Sequence, residues 1–144
     1  MIELEVMSRQ DLEYLYSLCE ATMRTYTETV WGCWNEPEIR KHFADSLSKE
    51  MFECILENGD RVGALSIESH EGYFQLEQIY IEPSHQNRGI GGEVVKTLIA
   101  RAKKEVILIR IRVLKPNPAK RFYERLGFVV SETTAQRYHM EYKV

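Results

Sequence analysis

The segment Gln86-Asn87-Arg88-Gly89-Ile90-Gly91-Gly92 decides the reading of this chain. It follows a strand pattern, Leu76-Glu77-Gln78-Ile79-Tyr80-Ile81, after a short break at Glu82-Pro83-Ser84. It precedes helical spacing at Val94, Val95, Leu98, Ile99 and Ala102. A glycine-rich turn from strand into helix leaves backbone N–H groups unpaired at the positive end of the helix. Such a turn is a place to hold phosphate.

Two common phosphate loops do not fit. A nucleotide P-loop needs Lys followed by Ser or Thr at the helix start, and here Gly91-Gly92 leads into Glu93-Val94. A dinucleotide fingerprint needs a third glycine three residues after the second, where this chain has Val94, and the turn comes past mid-chain. What remains is Gln-x-x-Gly-x-Gly-Gly. Gly89 and Gly91 let the backbone approach a pyrophosphate, Arg88 can add charge and Gln86 can brace the loop. A plain tight turn requiring positive φ remains an alternative from these residues alone.

Working outward, residues 2–6 alternate apolar and acidic, which reads as an edge strand. Ser8 with Asp11 resembles a capping box. Leu12, Leu15, Leu18, Cys19 and Met23 follow at helical spacing, until the aromatic segment Tyr26–Trp34 interrupts it. Asn35-Glu36-Pro37 opens a second helix, with Ile39, Phe43 and Leu47 as its buried stripe. Three strands are expected next, at Met51–Glu57, Val62–Ser69 and Tyr73–Ile81. Asn58-Gly59-Asp60 closes the first as a hairpin turn. After the glycine turn a helix runs to about Lys104. Val106–Val113 is a β-branched run typical of a buried strand. Asn117-Pro118 opens a last helix that Gly127 closes, and Phe128–Val130 and Arg137–Val144 read as final strands. The order is β-α-α-β-β-β-α-β-α-β-β, an α/β (α+β) single domain over residues 1–144.

The 144 residues suffice for one core. Apolar residues make up 44% and charged residues 28%, ordinary for a globular protein. A net charge of −3 gives no general grip on nucleic acid. Cys19, Cys33 and Cys54 are odd in number and show no C-x-x-C spacing, so neither a disulfide framework nor a zinc site is expected. His42, His70, His85 and His139 show no ligand spacing either. No metal is expected. The acidic N-terminus is unlike a signal peptide and no segment suits a bilayer, which fits a reduced cytoplasmic setting.

The second motif is Asn117-Pro118-Ala119-Lys120-Arg121-Phe122-Tyr123-Glu124-Arg125-Leu126-Gly127-Phe128. Asn117 stands at a strand end and a helix N-cap position, where its side chain can hold a backbone group or a ligand atom. Tyr123 lies six residues on, and alone it also reads as a core aromatic. Together, Gln-x-x-Gly-x-Gly after one strand and Asn-x-Ala-x-x-x-Tyr-x-x-x-Gly-Phe after the next resemble the GCN5-related N-acetyltransferase family. The motifs span Leu76 to Phe128, and the element order agrees over the whole chain.

The resemblance implies a mixed, mostly antiparallel sheet of about seven strands with flanking helices. It implies a splayed parallel strand pair, ending near Ile81 and Val113, that holds acetyl-CoA as co-substrate. Backbone groups around Ile79 and Ile81 would meet the pantetheine arm and the acetyl carbonyl as an added strand does. The N–H groups of Arg88, Gly89, Ile90, Gly91 and Gly92 would hold the pyrophosphate. Asn117 would contact the pantetheine, and Tyr123 would lie near the thioester sulfur. The N-terminal helices would cover the acceptor, a small amine or a protein amino group. Family members are often dimers, so a homodimer is compatible.

The chemistry sets its own demands. An alkyl ammonium with pKa ~10 is almost wholly protonated at neutral pH and cannot attack. A proton acceptor is needed. Glu77 is in a strand beside the expected cleft and resembles the catalytic glutamate of the family's polyamine acetyltransferases. It could act through a bound water; the alternative is a solvent-facing strand carboxylate. A strand N–H near Ile79–Ile81 could stabilise the oxyanion, and the Tyr123 phenol could protonate the departing thiolate. Transfer is expected to be direct, since Cys33 has no neighbouring base to make it an acyl carrier. Tyr26, Trp31 and Trp34, with Phe43, are expected at the acceptor pocket, although aromatics here are also ordinary core residues. Arg24 is a possible anion contact. The rival reading is an acyl-CoA-binding module without turnover; a nucleotide-binding regulatory domain is disfavoured by the two failed loop comparisons.

Overall fold

A computed structural model of the chain describes residues 1–143. In chain order the elements are β1 (Ile2–Val6), α1 (Leu12–Trp31), α2 (Glu36–Ser48), β2 (Glu53–Glu57), β3 (Asp60–His70), β4 (Tyr73–Ile81), α3 (Ile90–Glu105), β5 (Leu108–Leu114), α4 (Ala119–Arg125), β6 (Val129–Thr133) and β7 (Arg137–Tyr142). Short 3-10 turns at Arg9–Asp11 and Pro83–His85 precede α1 and the glycine turn. Val144, expected at the end of the last strand, lies outside the described residues. The seven strands form one sheet in the order β1-β2-β3-β4-β5-β7-β6. Every neighbouring pair is antiparallel except β4 and β5, which are parallel. Fold class and element order are as the sequence leads one to expect.

Helices cover both faces. Val95 and Ala102 of α3 and Tyr123 of α4 pack on one side against Phe74, Ile109, Ile111 and Met140. On the other side Leu15 and Leu18 of α1 and Phe43 and Leu47 of α2 pack against Cys54, Ala64 and Tyr80. At the usual ~25 cal/mol per Å², each fully buried Val, Leu, Ile, Phe or Met side chain among these stabilises by about 1.5–3 kcal/mol relative to exposure. The β2–β3 hairpin has the expected turn, with Asn58 at φ 52° and Gly59 at φ 89°. Two consecutive positive φ values suit Asn-Gly and match the twist of the flanking strands. Among the described residues, no helix is long and apolar enough to cross a membrane.

Two local expectations are corrected. The first helix does not stop at Tyr26 but continues to Trp31, where Gly32 ends it in the left-handed conformation. Its inner stripe is Cys19, Thr22, Met23, Tyr26 and Thr27, still at helical spacing. Threonines interrupt the apolar pattern because this part of the helix faces a cleft, not the core. The fifth strand starts at Leu108 instead of Val106. Val106 closes α3 at φ 55°, with its N–H bonded to the last-turn carbonyls, and is 78% exposed. A β-branched residue rarely adopts that backbone, so β propensity misleads here.

The feature that positions the site is a β-bulge. On β4, Gln78 faces Ser66 and Leu76 faces Ile67, so Glu77 is an extra residue with no partner in β3. The consequence is visible in the packing. Leu76 and Ile79 are three residues apart yet both pack on the α3 side, while Tyr80 packs on the α1 side. Strict two-residue alternation would forbid this. A bulge bends its strand and re-aims the extra side chain.

Candidate active site

Register pairing between β4 and β5 ends at Leu76–Ile111, although β4 continues to Ile81 and β5 to Leu114. Beyond that point the two parallel strands part and their facing edges border a cleft of about 1270 Å³. The bulge at Glu77 falls on the first residue past the last pair. The cleft passes through the plane of the sheet, with α1 and α2 on one side and the glycine turn and α4 on the other.

At the glycine turn, Asn87 and Gly89 take φ 62° and 83°, and Gly89 is the N-cap of α3. The first intrahelical bond runs from Glu93 N–H to the Gly89 carbonyl at 3.0 Å. The N–H groups from Arg88 to Gly92 have no partner among the described residues, as expected at a helix start. A Cβ on Gly91 would stand 3.6 Å from the Phe122 ring, an ordinary van der Waals distance, so α4 borders the turn without itself requiring glycine there. Gln86 does brace the loop, since its Nε2 donates to the Ile81 carbonyl at 3.0 Å. The Arg88 side chain does not add charge to the cleft: it is 55% exposed, and its guanidinium lies 3.8 Å from Glu57 on β2. Only its backbone serves the turn. Ile90 buries its side chain in the core beneath the turn.

Glu77, Ile79 and Ile81 all line the cleft. The Glu77 carboxylate accepts a 2.8 Å bond from Arg112 on β5, a pair that bridges the two strands just where they part. Asn117 and Tyr123, after β5, line the cleft as well. Asn117 Oδ1 accepts from Ala119 N–H at 2.9 Å, holding the start of α4, while its Nδ2 turns toward Met23 of α1 at 3.8 Å. Tyr123 is both buried and cleft-lining. Its ring packs edge-on against Phe122 and Phe128 at 5.1 and 5.5 Å. Burial pushes its phenol well above the ordinary tyrosine range, so it stays protonated.

The aromatic wall is mixed in character. Tyr26, Trp31 and Trp34 all line the cleft. Trp34 is also structural, donating its indole N–H to the Tyr16 hydroxyl at 2.8 Å. Trp31 is 49% exposed. Phe43 spans both roles, buried in the core and bordering the cleft. Arg24 is not an anion contact of this cleft, because it pairs along α1 with Glu20 and Glu28 at 2.7 and 3.5 Å. Cys33 is exposed past the end of α1 and outside the cleft wall. The thiol that does border the cleft, Cys19, donates to the Tyr80 hydroxyl at 3.6 Å. Burial pushes it up to about 11, which removes the thiolate a nucleophile needs.

Apart from Glu77, sequence pattern does not single out the cleft's charged lining. Arg112 and Arg137 border it, as do Arg121 and Arg125 of α4 and Glu38 and His42 of α2. Alternation in Arg110-Ile111-Arg112-Val113 signals a half-buried strand with its arginines on one face, but not which face opens on the cleft. The bulge did leave a trace: apolar residues fall at 74 and 76 and then at 79 and 81, a phase slip across Glu77.

With this geometry in hand, comparison with known proteins is direct. The family model for the acetyltransferase (GNAT) domain matches residues 49–130. No curated protein sequence matches the chain. Among solved structures, a PaiA N-acetyltransferase from Thermoplasma acidophilum in complex with coenzyme A superposes with a TM-score of 0.75 at 22% identity, covering 100% of this chain and 99% of that one. An acetyltransferase from Thermus thermophilus gives 0.80 at 16% identity, with 100% and 97% covered. A ribosomal-protein-alanine N-acetyltransferase from Escherichia coli gives 0.71 at 19%, with 99% and 93% covered. These likenesses establish the shared fold, and the domain match, which takes in the bulge, the glycine turn and Asn117–Tyr123, makes this chain a member of the GNAT acetyltransferase family.

Proposed function

We propose that the chain is an acetyl-CoA-dependent N-acetyltransferase that moves an acetyl group to a primary amine of a small molecule or protein by direct attack in a ternary complex. One observation carries this reading. A parallel strand pair opens beside a helix N-terminus with free N–H groups, and a carboxylate on β4 and a buried phenol on α4 both line the opening. The coenzyme A bound by the Thermoplasma protein supports the same ligand here.

The pyrophosphate would rest on the N–H groups of Arg88–Gly92, where the α3 dipole favours negative charge. The pantetheine would follow the open edge of β4 past Ile79 and Ile81 toward Asn117. Glu77, directly or through a water, would take the proton from the acceptor ammonium. The free amine then attacks the thioester carbonyl carbon. A β4 N–H would stabilise the oxyanion. As the C–S bond breaks, Tyr123 would give its proton to the thiolate.

The test is a thiol-release assay with acetyl-CoA across alkylamines, amino acids, polyamines and peptides, with mass detection of the acceptor. The expected result is CoA release that depends on an acceptor and yields one acetylated amine per thiol. Stable acetyl-CoA binding with no release for any acceptor would favour a binding module instead.

A further inference from the structure

The acceptor half of the cleft carries a cation that the reaction as described does not use. Arg137 opens β7 and lines the cleft. Its guanidinium lies 5.5 Å from the centre of the Trp31 ring, and no carboxylate pairs with it among the described residues. The two β5 arginines on this face, Arg110 and Arg112, differ in being paired. Arg112 faces His139 across the β5–β7 ladder while Arg137 faces Leu114, so Arg137, two residues before His139, is the diagonal neighbour of Arg112 on the same face. Arg112 is already matched by Glu77 at 2.8 Å. Like charges on one sheet face repel; Arg112 has Glu77 and Arg110 has Glu141 as counter-charges, and Arg137 has none among the described residues.

The backbone beneath Arg137 is fixed. Its N–H donates to Thr134 Oγ1 at 3.0 Å, its carbonyl accepts from Thr134 N–H at 2.9 Å, and the adjacent Gln136 carbonyl accepts from Lys115 N–H at 2.9 Å. A guanidinium held near an indole face with no carboxylate partner keeps its N–H donors free for a carboxylate or phosphate. Glu38 is the opposing charge on the α2 side of the same half, and it has no arginine or lysine partner among the described residues. It would discourage a purely anionic acceptor but not one that also carries an ammonium.

From this arrangement we infer that Arg137, laid over Trp31, is an anion subsite that selects acceptors bearing a carboxylate or phosphate in addition to the amine that is acetylated. The inference rests on the acetyltransferase reading above and deepens it by naming a substrate class. In this arrangement the amine points toward Glu77 and the anionic end lies at the β7 edge of the cleft. Polyamines, cationic at every end, are the wrong class.

Three probes of similar length separate the possibilities: δ-aminovalerate, n-pentylamine and cadaverine. With acetyl-CoA saturating, kcat/KM for δ-aminovalerate should exceed that for both others by roughly ten- to a hundredfold, the range of one charge-assisted pair. Arg137→Gln should collapse that ratio through the acceptor KM, Arg137→Lys should restore part of it, and Arg137→Glu should turn the preference toward cadaverine. The thermal shift produced by acetyl-CoA should persist in each variant, which shows that the fold and the coenzyme site are intact. If cadaverine or n-pentylamine matches δ-aminovalerate in the wild type, or if the ratio survives Arg137→Gln, the inference fails while the acetyltransferase reading stands. Calorimetric titration of δ-aminovalerate and cadaverine into the complex with CoA reads the same preference without turnover, and tighter binding of cadaverine would also overturn it. Failure of every class of amine to release CoA would sink the acetyltransferase reading itself.

Discussion

Replacing Tyr123 with phenylalanine should lower kcat by about a hundredfold or more, the usual contribution of a positioned general acid, and leave acetyl-CoA affinity nearly unchanged. The hydroxyl has no hydrogen-bond partner among the described residues, and the ring packs between Phe122 and Phe128. Its removal therefore strands no buried group, and stability should change little. Burial raises the phenol above its ordinary range. The acid is thus protonated at every pH below the normal tyrosine value of ~10, and it should impose no alkaline fall in kcat within that range. Steady-state kinetics on both proteins, with acetyl-CoA affinity from titration calorimetry, checks each part. An unchanged kcat would take Tyr123 out of the acid role and leave protonation of the thiolate to water.

The second large effect is expected at Glu77. Glu77→Gln should lower kcat/KM at neutral pH by about 10²–10⁴, and the deficit should shrink as pH rises. The sign follows from the task given to the carboxylate. If it removes a proton from an ammonium of pKa ~10, solvent does more of that work as pH approaches this value. The Arg112 pair it breaks is partly exposed, with the two side chains 46% and 25% accessible. The stability loss should therefore stay below about 1 kcal/mol, and thermal melting separates it from the kinetic loss. A deficit that is constant with pH would mean that Glu77 orients Arg112 or the acceptor rather than accepting a proton.

The fold was legible because its signals are local. The Asn58-Gly59 turn, the glycine turn and the Asn117–Gly127 helix each fix a boundary through one or two residues with defined backbone needs. The cleft was legible through the glycine turn and Tyr123, which sit on adjacent βα units. The rest depends on register. One extra residue against β3 sets the face of Glu77: counted from Phe74 and Leu76 it lies on the Arg112 face, whereas counted back from Ile79 and Ile81 without the phase slip it falls on the other. Arg112 and Arg137 are diagonal neighbours only because β5 and β7 are adjacent while β6 lies outside. Chain order puts β6 between them. The mixed aromatic and threonine segment from Tyr26 on hid the last turns of α1, because a helix lining a cleft need not be apolar.

The central claim is that the glycine turn and the opening between β4 and β5 bind acetyl-CoA. Thermal unfolding of the protein with saturating acetyl-CoA, CoA, ATP or NAD tests it most directly. At about 100 times its dissociation constant a ligand adds roughly 2.7 kcal/mol of stability, or roughly 5–11 °C in Tm for a domain of this size. Stabilisation by acetyl-CoA and CoA, with none from ATP or NAD, is the predicted result. Stabilisation by ATP or NAD alone would contradict it.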